Sequence, residues 1–128
     1  MSQDRQRQRE LLNVIKDFYN RYQTALDTHR STIDKFYHND GHILFDGKMY
    51  KSPYSAKMFW VNLPTSVHSI RTFNHNMYTM SPTKTIFIIC ATGSVTFGEK
   101  VHTYSQSLTC NYENDNMMIY SDDYRLMN

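Results

Sequence analysis

The side chains most able to do chemistry are six histidines, two cysteines and a scatter of carboxylates and phenols. His29, His38, His42, His68, His75 and His102 lie mostly near the ends of expected elements, and none forms a metal-ligand pair at helical spacing. A histidine in such a position is more often a surface or hydrogen-bonded group than a ligand. Cys90 and Cys110 fall in expected strands, away from any helix N-terminus that would favour a thiolate. The chain has only 4 glycines and no glycine-rich phosphate loop. Proton transfer needs a base within hydrogen-bond reach of its substrate and a partner to tune it, and no spacing here fixes such a dyad. These residues predict neither a metal nor a cofactor, and no catalysis.

The elements that would position these groups read as helices first and strands afterwards. Leu11, Ile15, Phe18, Tyr22 and Leu26 recur at spacings of four, three, four and four, one apolar stripe of a first helix. Ser31 and Asp34, in capping-box spacing before Phe36 and Tyr37, predict a second, short helix that Asn39-Asp40-Gly41 ends. Asp46-Gly47 predicts a two-residue turn between strands at His42–Phe45 and Lys48–Tyr50. Ser52-Pro53 opens a third helix that buries Ala56, Phe59, Trp60 and Leu63 and ends at Pro64. Four strands follow, expected at Val67–Met80, Thr83–Phe97, Val101–Tyr112 and Met117–Arg125. This is an α+β pattern with an antiparallel sheet.

The turn Gly98-Glu99 fixes a register. If Phe97 faces Lys100, then Cys90 faces Ser107 and Cys110 faces Phe87, which puts the cysteines on opposite faces and excludes a disulfide. One face then carries Phe87, Ile89, Ala91, Val95 and Phe97 against Cys110, Leu108, Gln106 and Tyr104, with Tyr104 lying over Gly93. The other carries Ile86, Ile88, Cys90, Thr92, Ser94 and Thr96 against Thr109, Ser107, Ser105 and Thr103. A sheet face left in water usually bears Lys, Glu and Arg. This one has hydroxyls, Ile and Cys without a charge, so it suits either a Thr-rich exposed face or close approach by another protein.

The bulk properties agree with a single small domain spanning residues 1–128, with residues 1–8 as a frayed N-terminus. Apolar residues make up 40% of the 128, enough for one core, and a formal charge of +2 is too weak to indicate nucleic acid or an anionic membrane. No apolar run approaches the ~20 residues of a membrane span. Two cysteines behind a polar start suggest an intracellular compartment.

Several local words, in order, resemble nuclear transport factor 2-like domains. They are Phe18, Tyr22 and Asp27 near Arg30; Phe45-Asp46-Gly47; and Leu63-Pro64 followed by His68 and Ile70. Then come Gly93 to Phe97, Tyr104-Ser105-Gln106-Ser107-Leu108, and Ser121-Asp122-Asp123-Tyr124-Arg125. The resemblance spans roughly residues 11 to 126 and is strongest to the export-related members, the small subunits of an mRNA export receptor. It implies a cone of three N-terminal helices on a strongly curved, mainly antiparallel sheet. It also implies a heterodimer with the nuclear transport factor 2-like domain of a larger receptor. By the same likeness that complex would contact Phe-Gly nucleoporins, and the chain would reside in the nucleus and at the pore, shuttling to the cytoplasm.

On that fold the pairing face would hold Ile88, Cys90, Thr92, Thr103, Ser105 and Ser107, joined by Asp123 and Arg125 of the last strand. The resemblance makes Arg125 a candidate to meet an acidic residue of the partner. Three departures bear on the alternatives. The Gly98-Glu99-Lys100 turn lacks the acidic loop of the Ran carrier, which counts against a homodimeric carrier of Ran-GDP. Tyr104 and Leu108 stand where the family usually has Phe. Asp123 would set like charges together in a symmetric pair. The same cone can also enclose an enzyme cavity of the isomerase or dehydratase type. There His102, Tyr104 and Gln106 of the inner face, with Tyr22 and Asp27 of the first helix, would be the groups to consider.

Overall fold

A computed structural model describes residues 2–127; of the expected N-terminal extension, Met1 lies outside the described residues. Helix α1 spans Ser2–Thr28, and a 3-10 helix follows at Arg30–Phe36. Strands β1 (Tyr37–Phe45) and β2 (Lys48–Lys51) form the small hairpin, helix α2 covers Pro53–Val61, and four long strands complete the chain. These are β3 (Ser66–Ser81), β4 (Lys84–Phe97), β5 (Lys100–Glu113) and β6 (Asn116–Leu126).

The six strands make one curled sheet in the order β2-β1-β6-β5-β4-β3. All pairings are antiparallel except β1 with β6, which is parallel and brings the small hairpin alongside the last strand. With its three helices the molecule has the α+β fold that the sequence pattern predicts, in the cone arrangement that the resemblance implies.

Each expected stripe finds its place. Leu11, Ile15, Phe18, Tyr22 and Leu26 are all buried against the inner sheet face. Ser52 caps α2 by accepting a hydrogen bond from the Ser55 amide at 3.2 Å, and Pro53 occupies the first helical turn. Ala56 and Trp60 are fully buried, whereas Phe59 and Leu63 are only partly so. Both Asp46 (φ 49°) and Gly47 (φ 86°) are left-handed, as a type I′ turn requires. Gly98 (φ 61°) starts the β4–β5 turn with Glu99 outside that region, the signature of type II′.

The second helix departs from expectation. Its preceding residue, His29, offers no side-chain cap, and Ser31 is not the start of a capping box. The segment is held as a 3-10 turn by the Thr32 amide and hydroxyl, which both donate to the His29 carbonyl. Nor does Asn39-Asp40-Gly41 end a helix. It bulges out of β1, whose register on β6 jumps between Tyr37–Ile119 and His42–Ser121. Gly41 fits there because a Cβ would lie 2.7 Å from the Ile119 carbonyl.

Candidate protein-docking face

The β4–β5 register is the one the Gly98-Glu99 turn dictates: Phe97 pairs with Lys100, Cys90 with Ser107, and Phe87 with Cys110. Cys90 is exposed, Cys110 is buried, and both thiols are free. Burial pushes the Cys110 thiol strongly upward, so it stays protonated. Gly93 is needed under Tyr104, because a Cβ there would sit 2.0 Å from the Ser69 carbonyl oxygen and 3.0 Å from the Tyr104 ring.

Pairing of all four long strands assembles the outer face into transverse rows. One row runs Asn74, Cys90, Ser107, Asp123 and continues through the parallel pairing to Leu44. A second runs Thr72, Thr92, Ser105, Arg125, and a third runs Asn76, Ile88, Thr109, Ser121. Ser94 and Thr103 pair just beyond the second row. The predicted face residues Ile88, Cys90, Thr92, Thr103, Ser105, Ser107, Asp123 and Arg125 therefore share one surface. Sequence reasoning did not extend it to Thr72, Asn74 and Asn76 of β3; alternation on that strand is interrupted by a bulge at Ile70–Thr72.

Within these three rows only Asp123 and Arg125 are charged. Arg125 Nε lies 3.4 Å from Asp123 Oδ1, with the arginine side chain 60% and the aspartate 35% accessible. That oxygen is itself shielded from water and accepts no well-formed hydrogen bond, so the contact is a loose ion pair. An exposed pair of this kind stabilises a fold by ~1 kcal/mol or less. The arginine of the pair remains largely available to a second protein.

The inner face carries a second, buried constellation. Asp122 is fully buried and accepts from the Tyr22 hydroxyl at 2.6 Å and from Gln106 Nε2 at 3.0 Å, while Tyr22 also bonds Tyr37. Tyr19 donates to Gln106 at 2.6 Å, and Gln23 bonds Tyr19 and Tyr104. Burial pushes the Asp122 carboxyl up to about 6 against the hydrogen bonds from Tyr22 and Gln106. The adjoining phenols of Tyr19, Tyr22 and Tyr37 are pushed far upward, first by burial and then by neighbouring charge and phenols, so they act as neutral donors.

Beside this network stands the dyad that spacing alone did not reveal. Asp27 Oδ1 lies 2.6 Å from His68 Nδ1, and His68 Nε2 lies 2.8 Å from the Tyr124 hydroxyl. Asp27 also accepts from the His68 amide and the Ser66 hydroxyl. Burial would raise its carboxyl, yet hydrogen bonds from His68 and Ser66 outweigh that and hold it below the usual value. The His68 side chain has no accessible surface. Tyr104 and Phe45 stack on the two sides of Tyr124 at 5.4 and 5.1 Å, and Trp60 meets it edge-on. The dyad thus ties α1 to β3 and β6 beside a stack of rings.

Arg30 completes the same clamp. It donates to the carbonyls of Leu26, Leu63 and Pro64 and lies 5.6 Å above the Trp60 ring. Among the described residues, no group of three or more His, Cys, Asp or Glu side chains is arranged to hold a metal, and no helix is long and apolar enough to cross a membrane.

Comparison with known proteins decides the family. The chain is 31% identical over 103 residues to NTF2-related export protein 1 of Schizosaccharomyces pombe, covering 79% of this chain and 87% of the relative. It belongs to the family of NTF2-related export proteins. No family model matches the sequence. Solved structures support the nuclear transport factor 2-like fold of this family member. Nuclear transport factor 2 from Cryptosporidium parvum superposes with a TM-score of 0.70 at 18% identity, over 88% of this chain and 90% of that one. A chain of the C. albicans Mtr2–Mex67 M domain complex does so with 0.69 at 12% identity, over 88% and 93%.

Proposed function

We propose that this member of the NTF2-related export family is a non-catalytic subunit of a nuclear mRNA export receptor. Its outer sheet face would dock the nuclear transport factor 2-like domain of a larger receptor chain, and the complex would pass Phe-Gly nucleoporins while shuttling between nucleus and cytoplasm. The observation that carries this reading is the face itself: three rows across four strands, uncharged on β3, β4 and β5 and carrying Asp123 and Arg125 on β6. Hydroxyl and amide side chains let another sheet approach closely and bond across the gap, while the one charged pair sets the register.

An unlike partner is favoured over a second copy. In a symmetric pair the Asp123 carboxylates of the two copies would be brought towards one interface, a repulsion that a basic partner relieves. Arg125, largely exposed, is suited to an acidic group of the partner. The export relative and the two-chain Mtr2–Mex67 structure support the same arrangement. Catalysis has less support, because the hydrogen bonds of Asp27 and His68 run to each other, to Ser66 and to Tyr124, and tie α1 to β3 and β6.

Affinity purification of the tagged chain from its native cell, followed by mass spectrometry, tests this. A stoichiometric larger chain with its own nuclear transport factor 2-like domain is expected. Recovery of the chain alone, as a monomer or homodimer, would overturn the reading.

A further inference from the structure

On the helix side of the sheet, α2 and β2 flank a shallow, open groove of about 450 Å³ lined by Tyr50, Tyr54, Ser55, Met58, Phe59, Asn62 and Leu63. Five of the seven are aromatic or aliphatic, and none is acidic. One wall is firm: Phe59 packs against Tyr50 with ring centroids 4.3 Å apart and against Phe45 at 4.8 Å. The other is open, with Tyr54 64% exposed. Such a ring held out in water costs solubility without contributing to the fold, and aromatic and methionine side chains are enriched where proteins meet.

The rim is basic. Lys48 Nζ sits 5.5 Å from the Tyr50 ring centre and Lys57 Nζ 5.4 Å from that of Tyr54. Lys57 is partly offset by Asp34 at 3.6 Å. Lys48 and the nearby exposed Lys51 form no ion pair among the described residues. An apolar floor beneath the unpaired Lys48 ammonium and the partly offset Lys57 complements one chemistry in particular.

We infer that this groove is a second docking site, taking a short acidic peptide segment anchored by one large apolar side chain. The anchor would enter between Tyr54, Met58 and the Tyr50–Phe59 wall, and carboxylates on either side would meet Lys48 and Lys57. The groove lies on the opposite side of the sheet from the Asp123–Arg125 face, so both surfaces can be occupied together. The inference does not depend on the export reading.

An NMR titration of the full chain tests it, with the peptide Glu-Asp-Phe-Asp-Leu-Glu and its uncharged counterpart Gly-Ser-Phe-Gly-Leu-Ser as probes. The acidic peptide should shift the amides around Tyr50, Tyr54, Met58 and Phe59 saturably, and its affinity should fall as salt rises. Tyr54→Ser, at an exposed position, should weaken it about tenfold, as expected for loss of an aromatic anchor. Lys48→Glu should weaken only the acidic peptide, by about fivefold. Equal binding of the two peptides, shifts confined to another surface, or no saturable shift up to ~1 mM would overturn the inference.

Discussion

Asp122 and Asp123 are consecutive in the chain and face opposite sides of the sheet. Asp122 is buried beneath α1 with Tyr22 and Gln106, while Asp123 stands outside beside Ser107 and Arg125. Strand alternation alone produces this division, and it gives neighbouring carboxylates unrelated tasks. One holds the helix to the sheet. The other stands at the edge of the proposed docking face.

Stability should therefore depend on pH in an unusual sense. Asp122 is held up to about 6 by burial, from an ordinary 3.8, so the folded chain binds this proton more tightly than the unfolded chain. Its contribution is full below pH 3.8 and is lost as pH rises through about 6, amounting to at most ~3 kcal/mol. Asp27 acts in the opposite sense: its carboxyl is held below 3.8, so its share is lost as pH falls beneath that value. Urea melts should show greater stability near pH 5 than near pH 8, and Asp122→Asn should remove that decline. A flat profile in the native chain would contradict the assignment.

Gly93→Ala should be among the most damaging small changes. The new methyl would meet a backbone oxygen of β3 at 2.0 Å and the Tyr104 ring at 3.0 Å, so strand and ring must both move. A loss of about 3 kcal/mol, or roughly 10 °C in melting temperature, is expected by calorimetry. Thr92→Ala, one residue away on the outer face, should change the isolated chain by less than about 0.5 kcal/mol.

Arg125→Ala should leave the isolated fold intact, since the arginine is mostly exposed and its ion pair with Asp123 is loose. Binding to the larger receptor chain should weaken by ~2–5 kcal/mol if Arg125 is buried there against a carboxylate. Isothermal titration with the purified partner domain reads this directly. Unchanged affinity would remove Arg125 from the interface.

The legible parts of this molecule were those governed by local rules. The Gly98-Glu99 turn dictated which residue faces which across β4 and β5, and hence both sheet faces, because a two-residue turn leaves no freedom of register. The Leu11-to-Leu26 stripe likewise placed α1. What stayed hidden depended on distant contacts. The parallel pairing of β1 with β6 has no local signature, and the bulge at Asn39–Gly41 looks in sequence like a helix stop. Asp27 and His68 lie 41 residues apart and meet only once the cone has closed. Asp122 does not read as a core residue in sequence, because a carboxylate between Ser121 and Asp123 looks like surface until Tyr22, Tyr37 and Gln106 are seen around it.

Cys90 offers the most direct test of the docking face. It lies exposed in the centre row, 3.9 Å from Ser107, while Cys110 on the inner face is buried and serves as an internal control. In the free chain a maleimide should label Cys90 rapidly and leave Cys110 untouched. In the complex purified from its native cell, Cys90 labelling should be suppressed until the partner is dissociated. Labelling of Cys90 at the same rate free and in complex would contradict the claim that this face is where the partner binds.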